Sequence, residues 1–268
     1  MNKALSDVAG RAVVTVRTRW RRLERYVDRA IYPARPPASG FFDKYPRYYS
    51  TSVTGSAANR LNCRHRALIV ENETAIAGKS VLDIASHDGR WSFAALSIGA
   101  KRVLGIEARE HLVTSAAETF QEYNVAKDRY GFIQGDIFEE IDKIEPRSID
   151  TVFCFGFFYH TVHQYLLLSK IARLKPQCLI IDTLIELHPA DAIFVMTEDT
   201  EGEGNVALAG AKRTVVGRPT RSALELMLGS FGWTAHYYDW HHAGIRQWDY
   251  LQDYHEGWRI SLRVDCGP

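Results

Sequence analysis

Long apolar runs are missing from this 268-residue sequence. No stretch approaches the roughly 20 consecutive apolar residues that a membrane-spanning helix requires. The N-terminus also lacks the continuous apolar region of a secretory signal. Cysteine is scarce: Cys63, Cys154, Cys178 and Cys266 lie far apart and form no C-x-x-C pair. That argues against a zinc site or a disulfide framework and for a reduced, cytoplasmic setting. A surplus of charge is missing as well, since 33 Lys and Arg balance 32 Asp and Glu to a net +1. A broad nucleic-acid-coating surface is therefore not indicated. No internal repeat or long low-complexity segment interrupts the chain. What is present is ordinary globular material, 46% hydrophobic and 24% charged, at a length that suits one elaborated domain.

Residues 1–40 read as a basic helical arm and linker. Val13, Val16, Trp20, Leu23, Val27 and Ile31 recur at helical spacing, and Arg17, Arg19, Arg21, Arg22, Arg25 and Arg29 crowd the remaining surface. Such an arm packs on the body or on a second subunit, which would make a homo-oligomer. The sharper reading is peripheral contact with a membrane surface or an anionic partner; Asp7, Glu24 and Asp28 dilute its charge. A PARPPASG linker follows, then an aromatic cluster (Phe41, Phe42, Tyr45, Tyr48, Tyr49) expected to dock on the body, and a helix over 59–69. From Ser80 the pattern alternates. Strands are expected over 81–85, 102–107, 130–134, 149–155 and 178–184, with helices over 91–98, 110–123 and 162–173. That rhythm predicts an α/β domain over 41–268 with a mostly parallel twisted sheet covered on both faces. Residues 186–218 break it and read as a lid or substrate-wall insertion. A helix capped by Thr220 and ended by Gly232 then leads to closing strands over 233–240 and 259–264.

The chemistry concentrates in VLDIASHDGRWSFAALSIGAKRVLGIEARE. A strand ends in a small-residue turn, a helix follows, and the next strand ends in Glu107. Ligands bind where strand carboxyl ends meet a topological switch. A carboxylate at a strand tip can accept both hydroxyls of a ribose, and Gly89 permits close backbone approach. The turn is not G-x-G-x-x-G, and its Asp88 would repel a pyrophosphate. An acid there is compatible with the ammonium of a methionine moiety, which favours S-adenosylmethionine over NAD.

VLDIASHDG resembles the first motif of class I S-adenosylmethionine-dependent methyltransferases, a strand ending in D-x-G-x-G-x-G. GIEA resembles their second motif, Gly135-Asp136-Ile137 their third and FCFGFFYH their fourth. The resemblance runs from about residue 80 to 184. It implies a Rossmann-like class I fold with an antiparallel closing strand and S-adenosylmethionine as cofactor. By that resemblance Asp83 and Gly89 shape the methionine pocket, Glu107 holds ribose, Asp136 and Ile137 flank adenine, Phe155 lines the pocket, and Ala85, His87 and Ala108 also belong to the cofactor-binding set. The sequence departs from the pattern in placing Ala85 and His87 where relatives carry glycine, which puts the first loop's backbone geometry in question. The bland readings remain beside these: Asp83 satisfying backbone groups, Glu107 a solvated strand end, Asp136 a helix N-cap.

Methylation of an alcohol needs a base, and His160, following the fourth strand, is the first candidate; a substrate-binding or helix-capping histidine is the alternative. Tyr159 is expected to orient the acceptor, with His163 as fallback and Asp182 in contact with substrate. Asp182, Glu186 and His188 raise the question of a divalent metal such as Mg, but the paired acids expected of such a site are absent, and the metal requirement stays open. The look of ASHDGRWSFAAL is similar to bacterial enzymes acting on sugars and small metabolites. The C-terminal rings, Trp233 to Trp258, offer either a carbohydrate wall or plain packing. The leading expectation is O-methylation of a small molecule or saccharide. Its rivals are an RNA methyltransferase of the wobble-uridine type, disfavoured by the neutral charge, and a non-catalytic scaffold that kept the fold.

Overall fold

The structure is a computed structural model that describes residues 40–51, 58–200 and 212–267. The expected arm over 1–39 and the centre of the 186–218 insertion lie outside the described residues. No helix among those described is long and apolar enough to cross a membrane.

Five parallel strands build the centre. β1 (Ser80–Ile84), β2 (Arg102–Glu107), β3 (Tyr130–Gln134), β4 (Thr151–Phe155) and β5 (Cys178–Leu184) alternate with α1 (Arg90–Ser97), α2 (Glu110–Glu122), α3 (Ile137–Glu140) and α4 (Gln164–Leu174). The sheet is closed by β8 (Thr234–Tyr237) and β9 (Arg259–Asp265), giving the order β3-β2-β1-β4-β5-β9-β8. β9 runs antiparallel to both its neighbours. The strand order reverses at β1, which pairs β2 on one side and β4 on the other. Above those carboxyl ends an open α/β sheet has its ligand crevice.

Strands buried on both faces need apolar residues at consecutive positions, and β1, β4 and β5 have them. Leu82, Ile84, Val152, Cys154, Leu179 and Ile181 pack on one face against Leu167, Leu168 and Ile171 of α4. Val81, Phe153 and Ile180 face the other way, against Trp91, Phe93 and Ala94 of α1. The aromatic segment joins this second layer. Phe42 and Tyr48 are fully buried, and Phe41 stacks on His65 with ring centroids 4.3 Å apart.

The sequence periodicity places the helix before β5 at 162–173, whereas α4 begins at Gln164. A tertiary demand overrides propensity here: the buried Gln164 amide donates to the carbonyls of Thr161 (2.5 Å) and Gly217 (2.7 Å). Gly217 belongs to a hairpin of β6 (Ile193–Asp199) and β7 (Arg213–Pro219), a separate two-stranded sheet inside the insertion. α5 (Arg221–Gly229) follows, with Thr220 accepting from the Ala223 amide at 3.2 Å as its N-cap. Trp233, Trp240 and Tyr254 are buried in ring packing, with Trp240 on Tyr254 at 3.8 Å. Packing therefore accounts for these three aromatics.

Candidate active site

β1 delivers the chain into a turn with an unusual backbone. Ala85 (φ 52°), His87 (φ 54°) and Gly89 (φ 74°) all occupy the left-handed region. Those are the three positions where the methyltransferase pattern carries glycine. The loop keeps the geometry although two side chains sterically disfavour it, at about 1–2 kcal/mol each. Gly89 is the position where no side chain is tolerated: a Cβ would lie 2.8 Å from the Phe132 ring and 3.1 Å from Phe120. The Ser86 amide donates to the Ile106 carbonyl (3.0 Å), which ties the turn to β2. Among the described residues, Ser86 Oγ and His87 Nδ1 are buried without a hydrogen-bond partner; His87 Nδ1 stands 3.5 Å from Asp88, beyond good hydrogen-bond length. Buried polar atoms left without protein partners mark a place where a ligand supplies them.

Three carboxylates surround this turn. Glu107, the last residue of β2, is buried and accepts from the His87 amide at 2.9 Å and from Arg109 Nε at 2.8 Å. Burial opposes its charge, but the Arg109 guanidinium and the two amides outweigh it and hold the carboxyl below its ordinary range. Asp83 accepts from Ser92 Oγ at 2.7 Å. Burial, reinforced by Asp88 and Glu107, nevertheless pushes its carboxyl up to about 7. Asp88 is fully buried in a two-pronged pair with Arg90, both contacts at 2.7 Å, and also accepts from Thr51. Burial alone would raise it; Arg90 instead holds it well below the carboxylate range. The oxygens of Asp88 thus meet the Arg90 guanidinium and those of Glu107 the Arg109 guanidinium, whereas Asp83 accepts from the Ser92 hydroxyl.

The remaining cofactor candidates stand at the same strand ends. Ala108 follows Glu107 directly. Asp136 caps α3 through the Phe138 amide at 2.7 Å, as the bland reading had it, and the Gly135 amide donates to the Glu107 carbonyl at 3.1 Å. Ile137 is buried in the core. Phe155 ends β4, stacked on Phe153 and edge-on to Trp91 at 5.7 Å. Asp83, Ala85, His87, Gly89, Glu107, Asp136 and Phe155 are therefore gathered at the carboxyl ends of β1 to β4. The set fits S-adenosylmethionine: a carboxylate at the β2 tip for a diol, an acid held near neutrality, and a loop with unsatisfied polar atoms.

The acceptor candidates divide. His160 lies in the turn after β4, half-buried, with Nδ1 2.8 Å from Glu198 on β6. Tyr159 packs on it with ring centroids 4.2 Å apart, and the Arg259 guanidinium lies 5.5 Å from the Tyr159 ring. His163 is exposed at the start of α4, with its ring edge-on to Phe138 at 5.9 Å. Asp182 is fully buried and its oxygens are engaged by Arg64 (2.9 Å), Arg259 (2.6 Å), Tyr254 (2.7 Å) and Ser261 (2.8 Å). Burial works against its charge, and Arg259 and Arg64 overcome it and hold the carboxyl far below its usual range. It braces two guanidinium groups at the β5–β9 seam. Glu186 pairs with Arg218 at 3.4 Å, and His188 accepts from the Ala190 amide. Among the described residues no group of three or more His, Cys, Asp or Glu could hold a metal ion.

Glu198, Arg64, Arg259 and Tyr254 carry no motif in the sequence. Glu198 sits in the insertion that reads as a lid or substrate wall, and Arg259 and Tyr254 reach Asp182 from more than 70 residues away.

Residues 81–177 match the family described as "Methyltransferase domain". No curated protein matches the sequence significantly. Among solved structures, the chain is similar to the N-terminal domain of EvdMO1 with S-adenosylhomocysteine bound (17% identity, TM-score 0.59, covering 91% of this chain and 97% of that one). It is also similar to DhpI in complex with S-adenosylhomocysteine (14%, TM-score 0.55, 84% and 95%). A third is magnesium protoporphyrin IX methyltransferase (ChlM) from Synechocystis PCC 6803 with bound S-adenosylmethionine (15%, TM-score 0.53, 84% and 91%). At these identities the structures establish a shared fold. The family match covers the strands that form the crevice, residues 81–177, and the described chain has the Rossmann-like fold of the S-adenosylmethionine-dependent methyltransferases it resembles.

Proposed function

We propose that the protein transfers a methyl group from S-adenosylmethionine to a hydroxyl of a small molecule or saccharide, with His160 as general base. The observation that carries the proposal is the meeting of Glu107 with the left-handed 85–89 loop, where the His87 amide donates to its carboxylate at 2.9 Å. Glu107 holds the ribose diol, Asp83 and the loop hold the methionine end, and Asp136 and Ile137 flank adenine. The cofactor supplies an electrophilic methyl group on a sulfonium centre. A hydroxyl, unlike an ionised carboxylate or a neutral amine, must give up its proton as it attacks, and an imidazole just beyond β4 meets that need. Tyr159 and Arg259 beside it line the acceptor's approach.

The test is transfer of labelled methyl from S-adenosylmethionine to a panel of hexoses, methyl glycosides, phenols and transfer RNA, with chelator controls. Labelling of a hydroxyl compound is expected, with kcat lowered about 10²–10⁴-fold in His160→Ala. Near-normal turnover of that variant removes His160 from the role of base, and labelling confined to transfer RNA overturns the acceptor class.

A further inference from the structure

We infer that Glu198 is the positioning residue for His160, and that the β6–β7 hairpin is the element that completes the catalytic centre. Its catalytic consequence rests on the functional reading above; the arrangement of the two side chains does not. Glu198 Oε2 lies 2.8 Å from His160 Nδ1. An ionised carboxylate only accepts, so the contact places the imidazole proton on Nδ1 and leaves the Nε2 lone pair for the acceptor's hydroxyl. When that hydroxyl attacks, its proton passes to Nε2 as the O–CH3 bond forms and the S–CH3 bond breaks. The Glu198 charge stabilises the resulting imidazolium without taking the proton, which later leaves to solvent.

The hairpin is fixed to the same turn. The Gly217 amide donates to the Thr161 carbonyl at 3.0 Å, one residue beyond His160, and the Gln164 amide donates back to the Gly217 carbonyl. Gly217 pairs with Val195 in the ladder that carries Glu198. Carboxylate and base are therefore held by one frame. Other groups around the imidazole are the Tyr159 ring from its own turn and, behind that ring, Arg259 from β9. An insertion that reads as a wall or lid thus supplies part of the catalytic machinery.

The experiment uses the full chain labelled with 15N-histidine, comparing wild type, Glu198→Ala and Glu198→Gln by long-range 1H–15N correlation at alkaline pH. The His160 signals are identified by their loss in His160→Ala. Wild type is expected to show the Nδ1–H tautomer, and Glu198→Ala a mixture of the two. With the hydroxyl acceptor most strongly labelled in the panel above, Glu198→Ala is expected to lose about 10–100-fold in kcat while KM for S-adenosylmethionine changes less than twofold. Glu198→Asp is expected to recover part of that rate, which a merely structural defect would not. An Nε2–H tautomer in wild type, or an unchanged tautomer in Glu198→Ala, overturns the arrangement. An unchanged kcat in Glu198→Ala overturns the positioning role while leaving methyl transfer intact. A wild-type chain that methylates nothing defeats the functional reading alone, because the tautomer still decides whether Glu198 orients His160.

Discussion

Single residues in this protein are often held in states that an isolated side chain would not choose. Asp83 is the clearest case. Its carboxyl is pushed up to about 7 by burial and by two acidic neighbours, whereas the unfolded chain titrates it near ~3.9. Between those limits the folded state binds more protons than the unfolded one, so this residue's contribution to stability falls as pH rises from about 4 to about 7. Asp83→Asn removes that slope. Urea midpoints measured at pH 5 and pH 8 are expected to shift in the variant's favour, relative to wild type, as pH increases; a constant difference between the two proteins contradicts this. Asp182 has the opposite sign. Its depressed carboxyl contributes stability that is present above its unfolded value and lost as pH falls through its folded one. Asp182→Asn strands Arg64 and Arg259 without a full counter-charge and is expected to lose about 3–5 kcal/mol near neutrality. In thermal melts the gap should narrow only below about pH 4.

At the scale of elements, the strands and helices from β1 to β5 are legible in the sequence because their signals are local. Consecutive apolar residues mark doubly covered strands, and the 83–89 turn and Glu107 fall where a small-residue break and a strand-end acid place them. The hairpin was not legible in the same way. β6 and β7 exist because Gly217 reaches across to Thr161 and Gln164, contacts about 50 residues distant in the chain, and nothing within IFVMTED announces them. Glu198 disappeared with its strand, and for the same reason Asp182 read as a group free to meet substrate. The Ala85 and His87 departures were visible as residues, but their left-handed backbone was not. Gly217 tests the hairpin's role directly. A Cβ there would lie 2.8 Å from Ile193 Cγ2 and 3.1 Å from Gln164 Nε2, so Gly217→Val must shift Ile193 and press on the Gln164 contact that ties the hairpin to the 161–164 turn. The variant is expected to lose at least about tenfold in kcat through misplacement of Glu198, within the range a positioned base contributes, while still binding S-adenosylhomocysteine. Wild-type turnover in Gly217→Val would separate the hairpin from catalysis.

Across the whole molecule, two sets of groups stand at the carboxyl ends of the parallel strands of the seven-stranded sheet. The tips of β1 to β3 carry the acids and the strained loop suited to a nucleoside sulfonium, and the turn after β4 carries His160, the proposed base, 2.8 Å from Glu198 of the hairpin. The family match spans the cofactor half and the β4 turn, whereas Glu198 and Arg259 come from outside it. The residues proposed for the acceptor side thus lie partly outside the matched segment. The most direct measurement is calorimetric titration of S-adenosylhomocysteine into the wild-type chain and Glu107→Ala. The account predicts one-to-one binding by wild type and at least about tenfold weaker binding by the variant, as expected when a buried charged acceptor of hydrogen bonds is removed. Absence of binding by wild type, or equal affinity in the two proteins, would contradict it.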